Sequence, residues 1–306
     1  MKHEKLKQLS PLLKQAISFR PMTSGFSGDR TFLVTTPSEK LVLKLSDIQK
    51  YSSLKKKASI QQKLKNRGVI CSEVMEVGVS AEQNCTFRIF PFIEGEIARA
   101  SIHLLTEEEQ YEIGRRAGRD LSIMHTFDAP FYAAPWDKKV LAKHERYVHA
   151  YQSSGVTFSH DQFVLDFIQS HADAVKGRPN QFQHDDFHLG NIIIQRHQYA
   201  GAIDFDQSDW GDPIHDFYKL SLFSRESSIP FSAGQLDAYL STQVTRNFWL
   251  LFSIYTAMSC FSSIVWTLSY DPGHVKDMVN RVERILSDHN RFTQLIPVWY
   301  VDRLHS

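Results

Sequence analysis

Cysteine is scarce in this chain: 306 residues hold three, Cys71, Cys85 and Cys260, far apart and with no CxxC spacing. That excludes a disulfide framework and a zinc finger, and it suits a reducing cytoplasm. An excess of charge of either sign is missing too. Lys+Arg 35 against Asp+Glu 34 leaves +1, so bulk charge argues against a dedicated nucleic-acid binder. The opening MKHEKLKQLS is polar and lacks an apolar h-region, so no secretory signal is expected. There is no internal repeat and no low-complexity tract. What the chain does have is 42% hydrophobic and 23% charged residues, enough apolar material for a sizeable core. Domains usually run to about 100–200 residues, so two are expected.

One stretch, 247–270, carries no charged residue. A membrane-spanning helix needs about 20 mainly apolar residues. Here Ser253, Thr256, Ser259, Ser262, Ser263, Thr267 and Ser269 dilute the hydropathy, and no anchor lies beside the stretch. The expectation is a buried helix in a large core, and a cytoplasmic protein with no membrane partner.

Residues 17–22, 30–36 and 40–45 are short runs rich in Phe, Val, Thr and Leu, separated by Gly/Ser and Pro-Ser-Glu-Lys punctuation. Residues 51–67 read as a basic helix with an apolar stripe at Leu54, Ala58, Ile60 and Leu64, stopped by Gly68. Two further strands, 74–79 and 85–90, flank a turn at 80–84. Thr106 and Glu109 then form a capping-box signature that opens a helix to about His125. Helical patterns dominate thereafter, apart from a β-like stretch at 182–205. This predicts an α+β protein of two parts: a small antiparallel β-rich lobe with one helix over 1–93, and a larger, mainly helical lobe over 94–306.

The densest chemical signal is Gln183-His-Asp-Asp-Phe-His-Leu-Gly-Asn-Ile-Ile-Ile194, followed by Gly201-Ala-Ile-Asp-Phe-Asp206. The apolar runs 192–194 and 200–203, joined by a polar link, read as a β-hairpin. In an antiparallel pair, the residue before the first strand and the one after the second lie side by side. Those residues are Asn191 and Asp204. An amide oxygen beside a carboxylate is hard-oxygen ligation, suited to Mg²⁺ with water and phosphate completing the shell. Asp186, five residues before Asn191, is placed to contact an incoming hydroxyl.

This is H-x-D-x-x-x-x-N with an aspartate thirteen residues on, the catalytic-loop arrangement of protein kinases. His184-Asp-Asp-Phe-His-Leu-Gly-Asn191, with Ile203-Asp-Phe-Asp206 and Gly211-Asp-Pro-Ile-His-Asp216, resembles the aminoglycoside phosphotransferase family. That family commonly reads HGDxHxGN and then IDxxxxxxGDPxxD, and it is related to the choline kinases. The resemblance runs from about Phe19 to Tyr270. It implies a two-lobed protein-kinase-like fold and Mg²⁺-dependent transfer of the γ-phosphate of ATP or GTP to a hydroxyl of a small molecule, an aminoglycoside-like antibiotic among the candidates. Alternatives are a metabolic kinase for an amino alcohol or a sugar, and a non-catalytic nucleotide-binding module.

Under the resemblance, Asp186 is catalytic and Asn191 and Asp204 hold the metal. Ser24, Gly25 and Ser27 lie in a nucleotide loop whose backbone approaches phosphate. Lys44, a lone charge in the apolar strand Leu41-Val-Leu-Lys-Leu45, is the phosphate ligand. Phe90, Phe92 and Ile93 belong to a hinge at 89–94 whose backbone N–H and C=O could meet an adenine edge. His184, Asp212 and Asp216 support the loop, Asp212 as an N-cap before Pro213. Asp185 stands where the family usually has Gly and is expected to face solvent or to cap.

One departure is visible. Kinase-like folds pair the strand lysine with a helix glutamate, but no acid occurs between Tyr51 and Arg67, and the position falls near Lys57. Gln61, Glu73 and Glu76 are the substitutes at hand. A polycationic acceptor would need an acidic groove, for which Asp206, Asp209, Glu96 and 107–109 are candidates. Trp210, Trp249 and Trp266 could stack on a ring or belong to the core.

Overall fold

The computed structural model describes residues 3–22, 28–240 and 245–302. The chain divides into two compact units, one of Met1–Glu96, Ile193–Arg196 and Ala200–Asp206, the other of Ile97–Ile192, His197–Tyr199 and Gln207–Ser306.

In the first unit a short helix α1 (His3–Lys7) precedes strands β1 (Ser18–Met22), β2 (Arg30–Thr35) and β3 (Lys40–Asp47). Helix α2 (Tyr51–Asn66) follows, then β4 (Glu76–Ser80) and β5 (Cys85–Pro91). The five strands form one antiparallel sheet in the order β1-β2-β3-β5-β4. Alternation along a strand decides which side chains are interior. Leu41, Leu43 and Leu45 of β3 face one way with Phe87 and Ile89 of β5. They join Leu6, Leu13, Phe19 and Val34 in a buried cluster. Lys44 and Arg88, paired in register, are on the opposite face.

The second unit carries α3 (Ala98–Ser101), α4 (Glu107–Met124), α5 (Trp136–Gln152) and α6 (Asp161–His171), then α7 (Arg225–Ser227), α8 (Ile229–Leu240), α9 (Arg246–Tyr270), α10 (Val275–Asp288) and α11 (Val298–Val301). Thr106 and Glu109 close a reciprocal capping box at the start of α4. Helices α4 and α8 approach so closely that a Cβ on Gly114, Gly118 or Gly234 would collide with the backbone of the facing helix. Helix α9 is long and apolar enough to cross a membrane, yet 83% of its most apolar window is buried inside the protein. Several of its hydroxyls donate to main-chain carbonyls, as Thr267 does to Ser263 at 2.8 Å and Ser253 to Leu295 at 2.8 Å.

The segment 181–211 supplies β7 (Gln181–Gln183), β8 (Ile192–Gln195), β9 (Gln198–Ala202) and β10 (Asp209–Gly211); β10 pairs antiparallel with β7. Strand β8 lies between β9 and the short β6 (Glu96–Ile97). The β8–β9 turn is two residues, Arg196 and His197, both at positive φ (50° and 62°), the signature of a type I′ hairpin. The polar link is therefore shorter than the sequence suggests, because Gln198 and Tyr199 already belong to β9. The far end of β9 is tied by Ala202 N–H to Ile70 O at 2.9 Å and Ser72 N–H to Ala202 O at 3.1 Å. This tie belongs to the first unit, whereas a division at 93/94 places Ala202 with the helical part.

Candidate active site

In the first unit the site is a charge network. Lys44 and Arg88 are cross-strand neighbours, and two like charges opposite each other are unfavourable unless anions lie between them. Asp204 and Asp206, just past β9, supply those anions. Lys44 Nζ is 3.0 Å from Asp204 Oδ1 and 3.1 Å from Asp206 Oδ2. Both amino ends of the Arg88 guanidinium reach the Asp206 carboxylate, Nη2 at 3.1 Å. Nη2 also lies 3.3 Å from Asp29 Oδ2, and Asp29 in turn accepts Ser46 Oγ–H at 2.6 Å and binds Lys50 at 3.2 Å. Burial alone would lower the Lys44 ammonium pKa, but the two aspartates outweigh it and raise it. Burial likewise pushes the Asp206 carboxyl up, and Arg88 and Lys44 together hold it well below the usual carboxylate range. Asp206 is thus a structural anion held by Lys44 and Arg88, and not the free groove carboxylate for which the sequence offers it.

This network explains the missing helix glutamate. Gln61 donates to Ser72 O at 2.7 Å, Glu73 pairs with Lys65, and Glu76 accepts from Ser10. None of these substitutes meets Lys44. The anions come instead from the segment after β9, and Lys57, at the glutamate's position, donates to the Asp206 carbonyl at 2.5 Å.

The other expected nucleotide contacts divide. Ser24, Gly25 and Ser27 lie outside the described residues. Phe90, next to last in β5, is a buried side chain with the Arg88 guanidinium 5.7 Å from its ring. Phe92 and Ile93 are half-buried. The Phe92 N–H is donated to Lys40 O at 3.0 Å.

In the second unit the loop after β7 is clamped by one buried carboxylate. Asp216 accepts the main-chain N–H of His184 at 2.8 Å and of Asp185 at 2.7 Å, with His125 Nε2 at 3.1 Å. His184 is buried and packs edge-on against Phe187. Asp212 caps the short turn that follows it through Ile214 N–H at 3.1 Å, and it binds Arg178 at 2.6 Å and the Tyr255 hydroxyl at 2.8 Å.

Asp185 has φ +58°, the left-handed region glycine enters freely and aspartate tolerates. That accounts for an aspartate where the family commonly has Gly. It neither faces solvent nor caps. Its Oδ1 lies 3.2 Å from His215 Nδ1, close enough for an ion pair but off the line of a hydrogen bond. Burial would raise its carboxyl pKa; His215, Lys143 and Lys219 bring it down to about 2.

Asp186 is held from three sides. Lys219 Nζ is 2.8 Å from Oδ1, His188 Nε2 is 3.3 Å from the same oxygen, and Asn191 Nδ2 donates to Oδ2 at 2.7 Å. His188 Nδ1 accepts the Gly190 N–H at 3.0 Å, so the proton sits on Nε2, facing Asp186. Burial opposes ionisation of Asp186, but Lys219 and then His188 overcome it and keep the carboxylate charged far below neutral pH. Lys219 lies over the Tyr218 and Phe223 rings at 5.0 and 5.4 Å. Neither Lys219 nor Arg88 figures in the sequence reading. The signal that picked out Lys44, a lone charge in an apolar run, would have found both, in Phe217-Tyr-Lys-Leu and Phe87-Arg-Ile-Phe.

The resemblance implies magnesium, which takes oxygen donors and usually keeps water and phosphate beside one or two protein ligands. Asp204 is a carboxylate at φ +64° whose side chain is 40% exposed. Asn191 has its NH₂ end on Asp186, which leaves the amide oxygen as the end able to meet a cation. Among the described residues no group of three or more His, Cys, Asp or Glu could cage a metal. Two oxygen donors of this type fit an ion that draws its other ligands from phosphate and water.

Among solved structures with the same fold are aminoglycoside phosphotransferases. A thermostable mutant of APH(4)-Ia in ternary complex with ADP and hygromycin B superposes with a TM-score of 0.70 at 14% identity, over 93% of this chain and 97% of that one. The GDP complex of wild-type aminoglycoside 2'-phosphotransferase-IIIa gives 0.70 at 14% identity, over 93% and 98%. The gentamicin–APH(2")-IIa complex gives 0.65 at 18% identity, over 97% and 99%. No curated protein matches the sequence. The likeness in structure shows a kinase-like fold, and the sequence pattern of one family covers residues 18–249, most of the chain. On that match, the chain belongs to the phosphotransferase enzyme family (APH).

Proposed function

We propose that the protein transfers the γ-phosphate of ATP or GTP to a hydroxyl of a small molecule. The observation that carries this reading is the setting of Asp186: a carboxylate kept ionised by Lys219 and oriented by His188 and Asn191, on a loop whose backbone Asp216 fixes. Phosphoryl transfer asks for positioning and charge neutralisation more than covalent work. Asp186 orients the acceptor hydroxyl and takes its proton as the new P–O bond forms. Lys44 lies ready to leave its aspartates for the nucleotide phosphates, while Phe90, Phe92 and Ile93 contribute the apolar surroundings of the base. Asp204 and Asn191 would hold Mg²⁺, which when bound neutralises phosphate charge.

The test is acceptor-dependent release of nucleoside diphosphate together with a product heavier by one phosphate. Asp204→Ala should abolish Mg²⁺-dependent nucleotide binding. Undiminished affinity for the magnesium–nucleotide complex in that variant would contradict the assignment.

A further inference from the structure

Beside the catalytic loop of the second unit, α5 and α9 border a small cleft that opens to solvent. Its walls include Lys143, His144, Tyr147, His215, Tyr218 and Tyr255. Two of them lead directly to the reacting group. His215 is the neighbour of Asp185, and Tyr218 lies under the Lys219 ammonium that binds Asp186.

The wall carries no carboxylate at all. The acids that the sequence offered for an acidic groove are not among its residues, and three are already engaged: Asp206 with Lys44 and Arg88, Asp209 with Lys139 at 2.8 Å, and Glu109 in the α4 capping box. Next to the cleft, Asp186 is already matched by Lys219, whose charge also acts on Asp185. Lys143 has no ion-pair partner within hydrogen-bond distance among the described residues, and its charge reaches Asp185 through space. His144 Nδ1 is buried with no hydrogen-bond partner, and burial lowers its pKa to about 4, so it presents an unprotonated ring at neutral pH. A ligand with several ammonium groups would lose hydration here and meet Lys143 in place of an anion. Tyrosine faces suit a ring, and a hydroxyl can satisfy His144.

We infer that this cleft seats the acceptor, and that the acceptor is a ring-bearing alcohol without cationic groups, on which a carboxylate or phosphate substituent would face Lys143. The inference rests on the transferase reading above and narrows it away from the polycations named with the structural neighbours.

The experiment measures equilibrium binding to the full chain, without nucleotide, of three sets of ring alcohols: neutral phenyl glycosides, their uronic-acid counterparts, and the amino sugars gentamicin and hygromycin B. The neutral or acidic sets should bind at least about tenfold tighter than the amino sugars. Lys143→Glu should weaken the uronic acids and strengthen the amino sugars, each by about tenfold. Tighter binding of the amino sugars to the native chain, binding of no set, or an unchanged ratio in Lys143→Glu overturns the inference. Magnesium–ATP binding and phosphate transfer, read on the same samples, separate the two readings. Amino sugars that bind best and gain phosphate would leave the transferase standing and sink the cleft assignment. The expected preference without any magnesium–ATP binding would do the reverse.

Discussion

Around Lys44 the carboxylates are shared: Asp206 binds Lys44 and Arg88, and Asp29 binds Arg88 and Lys50. Around Asp186 there is one ammonium, Lys219; its other contacts are the amide of Asn191 and the imidazole of His188, whose pKa burial lowers. Both regions bury charge, but only the first has redundancy. A shared network can release one member to an arriving phosphate and keep its remaining charges matched. A pair with one cation loses its match when that cation goes, which suits a group that must hold one orientation. The difference fits a nucleotide end that rearranges on binding and an acceptor end that is prepared beforehand.

The comparison is easiest to break through stability. Lys219→Met leaves Asp186 charged, mostly buried and without a cation, and should cost about 3 kcal/mol in urea unfolding. Arg88→Met removes a more deeply buried cation, yet Asp206 keeps Lys44 and Asp29 keeps Lys50 and Ser46, so about 2 kcal/mol is expected. The reverse order would show that the first network is the less redundant.

The smallest effect is on pH dependence and should come from the second unit. Burial holds His289 and His144 at about 4, below the ordinary histidine value. The unfolded chain therefore takes up protons first as pH falls, and stability present above about 6.5 is lost progressively down to about 4. At pH 5.5 the cost should be about 1 kcal/mol for each histidine. His289→Phe should flatten the thermal-unfolding profile between pH 6.5 and 5. Asp185, at about 2, is still ionised throughout that window and contributes no slope to it. An unchanged slope in His289→Phe would place the acid sensitivity elsewhere.

Much of this was legible in the sequence for a physical reason. Alternating apolar residues and turn chemistry mark β2, β3, β5 and α2 within a residue or two of their ends, because those elements bury one face and stop at Gly or polar punctuation. The spacing from His184 to Asn191 marks the loop because its chemistry is local in the chain. The partners of Lys44 and Asp186 were not legible. Asp206 lies 162 residues beyond Lys44, and Lys219 lies 33 beyond Asp186. Ion pairs between such distant positions leave no periodic trace, only a single charge in an apolar run at one end. Asp185 was misjudged because its exposure depends on His215, thirty residues away, and not on its own loop.

The account depends most on Asp186 acting at the chemical step and not in nucleotide binding. Single-turnover transfer to an identified acceptor in Asp186→Asn, with magnesium–ATP affinity measured on the same protein, tests that directly. Affinity should stay within about threefold while the transfer rate falls by about 10³ or more. Transfer within a few-fold of the native rate would contradict the role assigned to Asp186.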